Sequence, residues 1–477
     1  MSFASPLFLW YFIPIVLIAV LLAPRTWRNG IIAVASLLFY AAGAGPSTLL
    51  LLSCMVVNFL AGPRLEPDEG DTRRATRRRL LFGIVGFDLA VLVVWKYAGF
   101  ATEQIAGFAK LFGGEFPVVD LVLPIGISFY TFHHISYVVD IYRGERKALR
   151  QPVAFITYIA MFPQLVAGPI VRYREIADQL PQLRTHRLDD IASGFPRFAL
   201  GLCKKVIIAD SLSPLVEQCF ATPANEMTFA VAWLGAIAFT LQLYFDFSGY
   251  SDMAIGLGRM LGFRLPENFA RPYSSVTVTE FWRRWHMSLS RWFRDYVYIP
   301  LGGNRDGAGR TYRNLCVVFV LTGLWHGDNW TFLVWGLFHG ALLIVERGFG
   351  LDRSPTNPLP RYARRALTTV LVIFGWVFFR ATDIGQALVM IGHMLLPDFN
   401  GLTDGVNAAL GNQVAVTLLI ALAIMFMPAT PVTGPMLESS RSRTATILRV
   451  TVMGPGLLWA AILVATGTFS PFLYYQF

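Results

Sequence analysis

Apolar runs of about bilayer-crossing length recur along the chain, and they limit its fold more than any other feature. A spanning helix needs roughly 20 mostly apolar residues. Such runs cover 7–23, 31–61, 80–99, 119–141, 153–170, 195–220, 228–249, 312–326, 330–349, 367–382, 411–430 and 446–468. The second reads as two pieces broken at Gly43-Ala44-Gly45-Pro46. Hydrocarbon offers no hydrogen-bond partners, so only helices or closed barrels span it. The runs are too long and continuous for barrel strands, which alternate over about ten residues. The expected fold is an all-α polytopic membrane protein of roughly 10–13 spanning or re-entrant helices. No soluble domain, internal repeat or low-complexity tract interrupts it, so 1–477 reads as one integral membrane domain.

Composition agrees. Hydrophobic residues make up 55% of the 477 and charged residues 15%, against about 25% charged in soluble domains. Disorder, a disulfide scaffold and an ordinary soluble enzyme are excluded. Lys and Arg number 40 against 30 acidic residues, a net charge of +10. The basic residues fall between apolar runs, which points to loops facing anionic lipid and away from nucleic acid. Four clusters are expected to be cytoplasmic: Arg73 to Arg79, Arg143 to Arg150, Arg361 to Arg365, and Arg441 with Arg443 and Arg449. The 171–194 stretch, with Leu180, Leu183 and Leu188, reads as a cytoplasmic amphipathic segment. The N-terminal run lacks a basic start and a small-residue cleavage site, so it reads as a retained span. Cys54, Cys203, Cys219 and Cys316 form no CxxC pair and read as small hydrophobes; no metal site is expected.

Three polar islands break the pattern. Residues 271–310 interleave basic and aromatic side chains, and six of the twelve tryptophans lie between 282 and 335. The segment reads either as an interfacial helix with Trp and Arg at the headgroups or as a re-entrant piece shielded by protein. Beyond it comes Gly323-Leu324-Trp325-His326-Gly327-Asp328-Asn329. An ionisable residue at membrane depth is costly and marks a candidate functional position. The imidazole of His326 is suited to proton transfer near neutral pH. His339 and His393 read as structural, His133 and His134 as packing residues, and His186 as solvated. A second island, Gln242 to Asp252, holds Asp246 and Asp252, for which arginines of 271–294 are the expected partners. In the third, two prolines and a glycine interrupt Met161 to Ile170, and Gln164 is a candidate for facing a cavity. No P-loop, HExxH, GxSxG or dinucleotide fingerprint occurs.

Glu280 to Arg305 together with Trp325-His326-Gly327 resembles the membrane-bound O-acyltransferase family, nearest its alginate O-acetylation branch and more distantly its D-alanyl-transfer branch. The resemblance extends to Leu123–Phe132, Met161–Ile170 and Tyr244–Asp252. It implies a ring of tilted helices around a central tunnel and acyl transfer from a thioester to a hydroxyl. The family's histidine falls on His326 and a second polar position on His286. The branch implies a bacterial inner-membrane location, periplasmic or membrane acetyltransferase partners, and an exopolysaccharide as indirect acceptor. Acetyl-CoA is the expected co-substrate, with no bound cofactor.

A thioester is already activated, so the chemistry asks for a base and for positioning. His326 is the candidate base. His286 is a candidate for orienting substrate or polarising the acyl carbonyl. Trp325, Arg283, Arg284, Asn329 and Gln164 are candidate substrate-binding residues. The 283–294 arginines suit either an anionic donor or lipid headgroups. Acyl transfer to another envelope polymer, a transporter with His326 in its pathway, and a scaffold whose partners do the chemistry are the alternatives.

Overall fold

Every expected run contains helix in the computed structural model, which describes residues 2–180, 187–355, 357–428, 430, 432–440, 442–467 and 472–473. Leu183, His186 and Arg441 lie outside the described residues. Among the described residues there is no β-strand. Among the described residues five helices are long and apolar enough to cross a membrane: Arg25–Leu65, Arg74–Lys110, Phe229–Met260, Pro358–Arg380 and Arg443–Ala465. Phe8–Leu22, Ile384–Leu395 and Asn412–Met425 are shorter apolar helices.

Local chemistry explains where these helices stop. The expected break after Ala44 is a tight turn over Gly45–Ser47, where Pro46 starts the next helical piece. Arg74–Lys110 outruns its apolar centre because Arg, Ala and Lys propagate helix well. The 119–141 run departs from expectation. Only Ile127–Tyr142 is helical, and 115–124 has no regular secondary structure. Pro117 and Pro124 resist helix, and Gly126 adopts φ +76°, where a Cβ would lie 2.7 Å from the Leu165 carbonyl oxygen. The 153–170 run breaks at Met161, between Pro152–Ala160 and Phe162–Leu165. Ile384–Leu395 was not among the expected runs, being too short for a span.

The chain forms two compact units, residues 1–195 with 254–266, and 196–253 with 267–477. In the first, Phe3, Phe8, Phe12, Phe39 and Phe162 make one aromatic cluster. His133 and His134 are fully buried on Ile127–Tyr142 among Tyr158, Tyr130 and Phe155. The second unit holds most of Phe229–Met260. The apolar window of that helix is 72% buried, against 17% for Arg74–Lys110, so protein surrounds the former.

Asp246 and Asp252 are paired, but not by the arginines of 271–294. Lys205 Nζ contacts Asp246 at 2.6 Å and Asp210 at 2.7 Å. Asp252 takes Arg197 and Lys204, each at 2.6 Å. Arg197 also reaches Glu267 and Glu438, at 2.6 and 3.1 Å. These cations sit on Arg187–Cys203 and the π-helical Lys204–Ala209 that continues it. The expectation weighed closeness in sequence, whereas the helix that packs alongside Asp246 and Asp252 supplies the charges.

The helices Ala308–His326 and Trp330–Gly348 form an antiparallel hairpin closed by Gly327-Asp328-Asn329. Glycines let the two backbones touch: a Cβ on Gly323 would lie 2.5 Å from the Phe332 carbonyl oxygen, and one on Gly336 would strike that of Phe319. A backbone neighbour cannot swing aside. Gly336→Val is therefore expected to destabilise by about 1–3 kcal/mol, read as a lower thermal midpoint in detergent. A midpoint equal to the parent's would show that the helices are not seated on this glycine.

Candidate active site

The site is built on the hairpin and on the aromatic-basic segment before it. Thr277 opens the helix Val278–Arg284, its hydroxyl accepting from Glu280 N–H at 2.9 Å. Glu346, from the hairpin, accepts from the N–H groups of Val278 and Thr279, both at 2.8 Å. A carboxylate there satisfies two terminal donors and complements the helix dipole. After Arg284 the chain kinks through Trp285 and His286, and Met287–Phe293 begins. Segment 271–310 is thus a series of short helical pieces, Pro272–Ser274, Val278–Arg284 and Met287–Phe293 with its π-helical continuation Arg294–Tyr298, before Ala308–His326 begins. His286 has φ +42°, an uncommon backbone for a non-glycine residue, and is fully buried.

His326 ends Ala308–His326 and is 5% exposed. Its ring lies edge-on to Trp325, Trp335 and Phe379, with centroids at 4.8, 4.9 and 5.2 Å. Trp325 in turn lies 6.1 Å from His286. The two histidines expected to carry the chemistry therefore both contact one indole. His286 also meets Phe247, with centroids at 4.7 Å. His339, one helix face further on, packs against Trp282 at 5.1 Å and Trp335 at 5.4 Å.

A cleft of about 540 Å³ opens beside this cluster. Trp282, Thr322 and Phe319 form part of its wall, and Arg283, Arg291, Arg294 and Arg347 bring four positive charges to it. Thr322 is one helical turn before His326, and Trp282 lies 5.7 Å from the Trp335 that contacts His326. Arg294 is paired with Asp295 at 2.8 Å.

The remaining candidates lie elsewhere. Arg284 is not among the cleft residues; it pairs with Glu280 at 2.8 Å and donates to the Ala270 carbonyl. Asn329 caps Trp330–Gly348, accepting from Thr331 N–H at 3.0 Å and donating to the Thr382 carbonyl at 2.7 Å. Gln164 belongs to the first unit, is fully buried and donates to the Tyr158 carbonyl. Arg347, Phe379 and Glu346 were not singled out from sequence, and Arg291 was named only within the 283–294 arginines. Only Glu346, a lone carboxylate late in an apolar run, carried a signal. Among the described residues no group of three His, Cys, Asp or Glu side chains is placed to hold a metal ion.

Residues 145–382 match the profile of MBOAT, the membrane-bound O-acyltransferase family. The chain is 42% identical to the probable alginate O-acetylase AlgI of Azotobacter vinelandii over the full length of both. It is 34% identical to the peptidoglycan O-acetyltransferase of Helicobacter pylori, over 82% of this chain and 79% of that one. Identity to the teichoic acid D-alanyltransferase of Bacillus subtilis is 27%, over 55% and 69%.

Proposed function

This chain belongs to the membrane-bound O-acyltransferase family, and from that premise we propose that it transfers acetyl from acetyl-CoA on the cytoplasmic side of the bacterial inner membrane toward O-acetylation of an exopolysaccharide such as alginate. The full-length likeness to a probable alginate O-acetylase favours acetyl over D-alanyl, whose relative aligns over little more than half of this chain. A periplasmic or membrane acetyltransferase partner receives the acetyl group and passes it to the polymer.

In this reading His326 takes the proton from the attacking hydroxyl. The oxygen bonds to the thioester carbonyl carbon, the carbon–sulfur bond breaks, and the imidazolium returns its proton to the leaving sulfur. No enzyme nucleophile is required, because sulfur is already a good leaving group. His286 contacts the same indole, Trp325, as His326 and orients the reacting group. Arg283, Arg291, Arg294 and Arg347 hold the donor's phosphates, where guanidinium groups give charge-assisted hydrogen bonds. The observation that supports the reading is the contact of both His326 and His286 with Trp325, close to a cleft that four arginines line.

The test is thiol release from acetyl-CoA by the purified protein, with the acceptor partner or a soluble alcohol present. Arg283→Glu is expected to raise KM for acetyl-CoA about tenfold or more, equivalent to at least ~1.4 kcal/mol, with kcat little changed. Absence of thiol release with any thioester would remove the enzyme reading. An unchanged KM would move the donor out of this cleft.

A further inference from the structure

We propose that Asn268 is a positioning residue that fixes the tautomer of His286, so that its Nε2 is a hydrogen-bond acceptor, suited to an O–H of the acceptor other than the one His326 deprotonates, and does not donate to the thioester carbonyl. This rests on the acyl-transfer reading above and selects between the two roles open to His286.

Asn268 is buried, 1% exposed, and its side chain is gripped at both ends. Its Nδ2 donates to Ser251 Oγ at 3.0 Å. Its Oδ1 accepts from the Ser288 hydroxyl at 2.8 Å and from Ser288 N–H at 3.3 Å. A backbone N–H can only donate, so the atom facing Ser288 is the amide oxygen and not the amide nitrogen. The same oxygen lies 3.1 Å from His286 Nδ1. An amide oxygen has no proton to give, so Nδ1 carries the hydrogen. In a neutral imidazole, Nε2 then bears the lone pair.

The backbone joins the same clamp. The Asn268 carbonyl accepts from Met287 N–H at 2.9 Å, next to the left-handed residue His286. A strained conformation of this kind persists only where its surroundings over-determine it. Here Asn268 holds both the backbone that follows His286 and the ring. Ser251 and Phe247 come from one face of Phe229–Met260, the first anchoring Asn268 and the second packing on the imidazole at 4.7 Å. A lone pair held in this way accepts from an O–H; it has nothing to offer a carbonyl oxygen.

The experiment is a double-mutant cycle on acetyl transfer, with kcat and KM for acetyl-CoA read separately. Asn268→Ala is expected to lower kcat by about 10- to 100-fold through misorientation, with KM for acetyl-CoA within twofold. Asn268→Asp keeps an oxygen toward His286 and Ser288 and is expected to restore most of kcat. His286→Gln leaves an amide oxygen near the position of Nε2, and adding Asn268→Ala to it is expected to cost little more. Equal losses from Asn268→Ala with and without the imidazole, or an unchanged kcat, would overturn the proposal. Should Asn268→Ala fail to accumulate, imidazole 15N spectra of the parent against His286→Gln decide. An Nδ1–H signal for His286 supports the assignment, and an Nε2–H signal overturns it. Full activity in His286→Gln and His286→Ala alike would also overturn it, while leaving His326 as base. Full activity in His326→Gln with the Asn268–His286 coupling intact would instead remove the base and keep the positioning role.

Discussion

His326→Gln is expected to lower acyl transfer by about 10²- to 10⁴-fold, the usual contribution of a general base, while the protein inserts and folds as before. Glutamine is the informative substitution. His326 is enclosed by Trp325, Trp335 and Phe379, and alanine would leave a void that confounds lost chemistry with lost packing. Glutamine fills much of that space, can accept a hydrogen bond, and cannot take up a proton near neutral pH. Two measurements check it: thiol release from acetyl-CoA by purified protein, and acetate on the cell's exopolymer. KM for the donor should hold, since the cleft arginines are untouched. Persistent O-acetylation in the variant would take the base role from His326.

The largest expected effect on stability comes from Lys205→Met. Lys205 is fully buried and pairs with Asp246 and Asp210 at 2.6 and 2.7 Å, under the Phe472 ring at 4.6 Å. Without its ammonium, two carboxylates share a buried site with the pair broken. Removing one partner of a buried pair costs about 3–5 kcal/mol, because the remaining charge is stranded. Lys205→Met is thus expected to lower the thermal midpoint by several degrees and reduce membrane yield. Adding Asp210→Asn and Asp246→Asn should recover most of the loss, since replacing a whole buried charge cluster is often neutral. Equal stability of Lys205→Met and the parent would show that the cluster is solvated or otherwise compensated.

The parts of this molecule governed by local chemistry were readable from sequence. Apolar run length located the helices, Gly45-Pro46 located a break, and the second break fell within the proline-flanked 161–170 stretch, at Met161. His326 stood out because an imidazole between two apolar runs has few inexpensive explanations. Tertiary pairing was not readable. Arg197 and Glu438 meet across 241 positions, and Lys205 and Asp246 across 41, so sequence proximity wrongly favoured the arginines after residue 270. Run length also misjudged the start of 119–141, where apolar residues suggested a span but 119–124, next to Pro117 and ending at Pro124, has no regular secondary structure. Nothing in the sequence set Asn268 apart. Its importance follows from Ser251, Ser288 and His286 converging on it, which spacing alone does not disclose.

Glu346 has a mechanical consequence. It lies on the arm of the hairpin opposite His326 and grips the amino end of the helix leading to His286. One rigid piece therefore carries the first imidazole and holds the mount of the second. When a change in lipid thickness tilts that piece, both rings travel with it and their separation is preserved. The spacing of the two imidazoles is thereby tied to contacts within the protein.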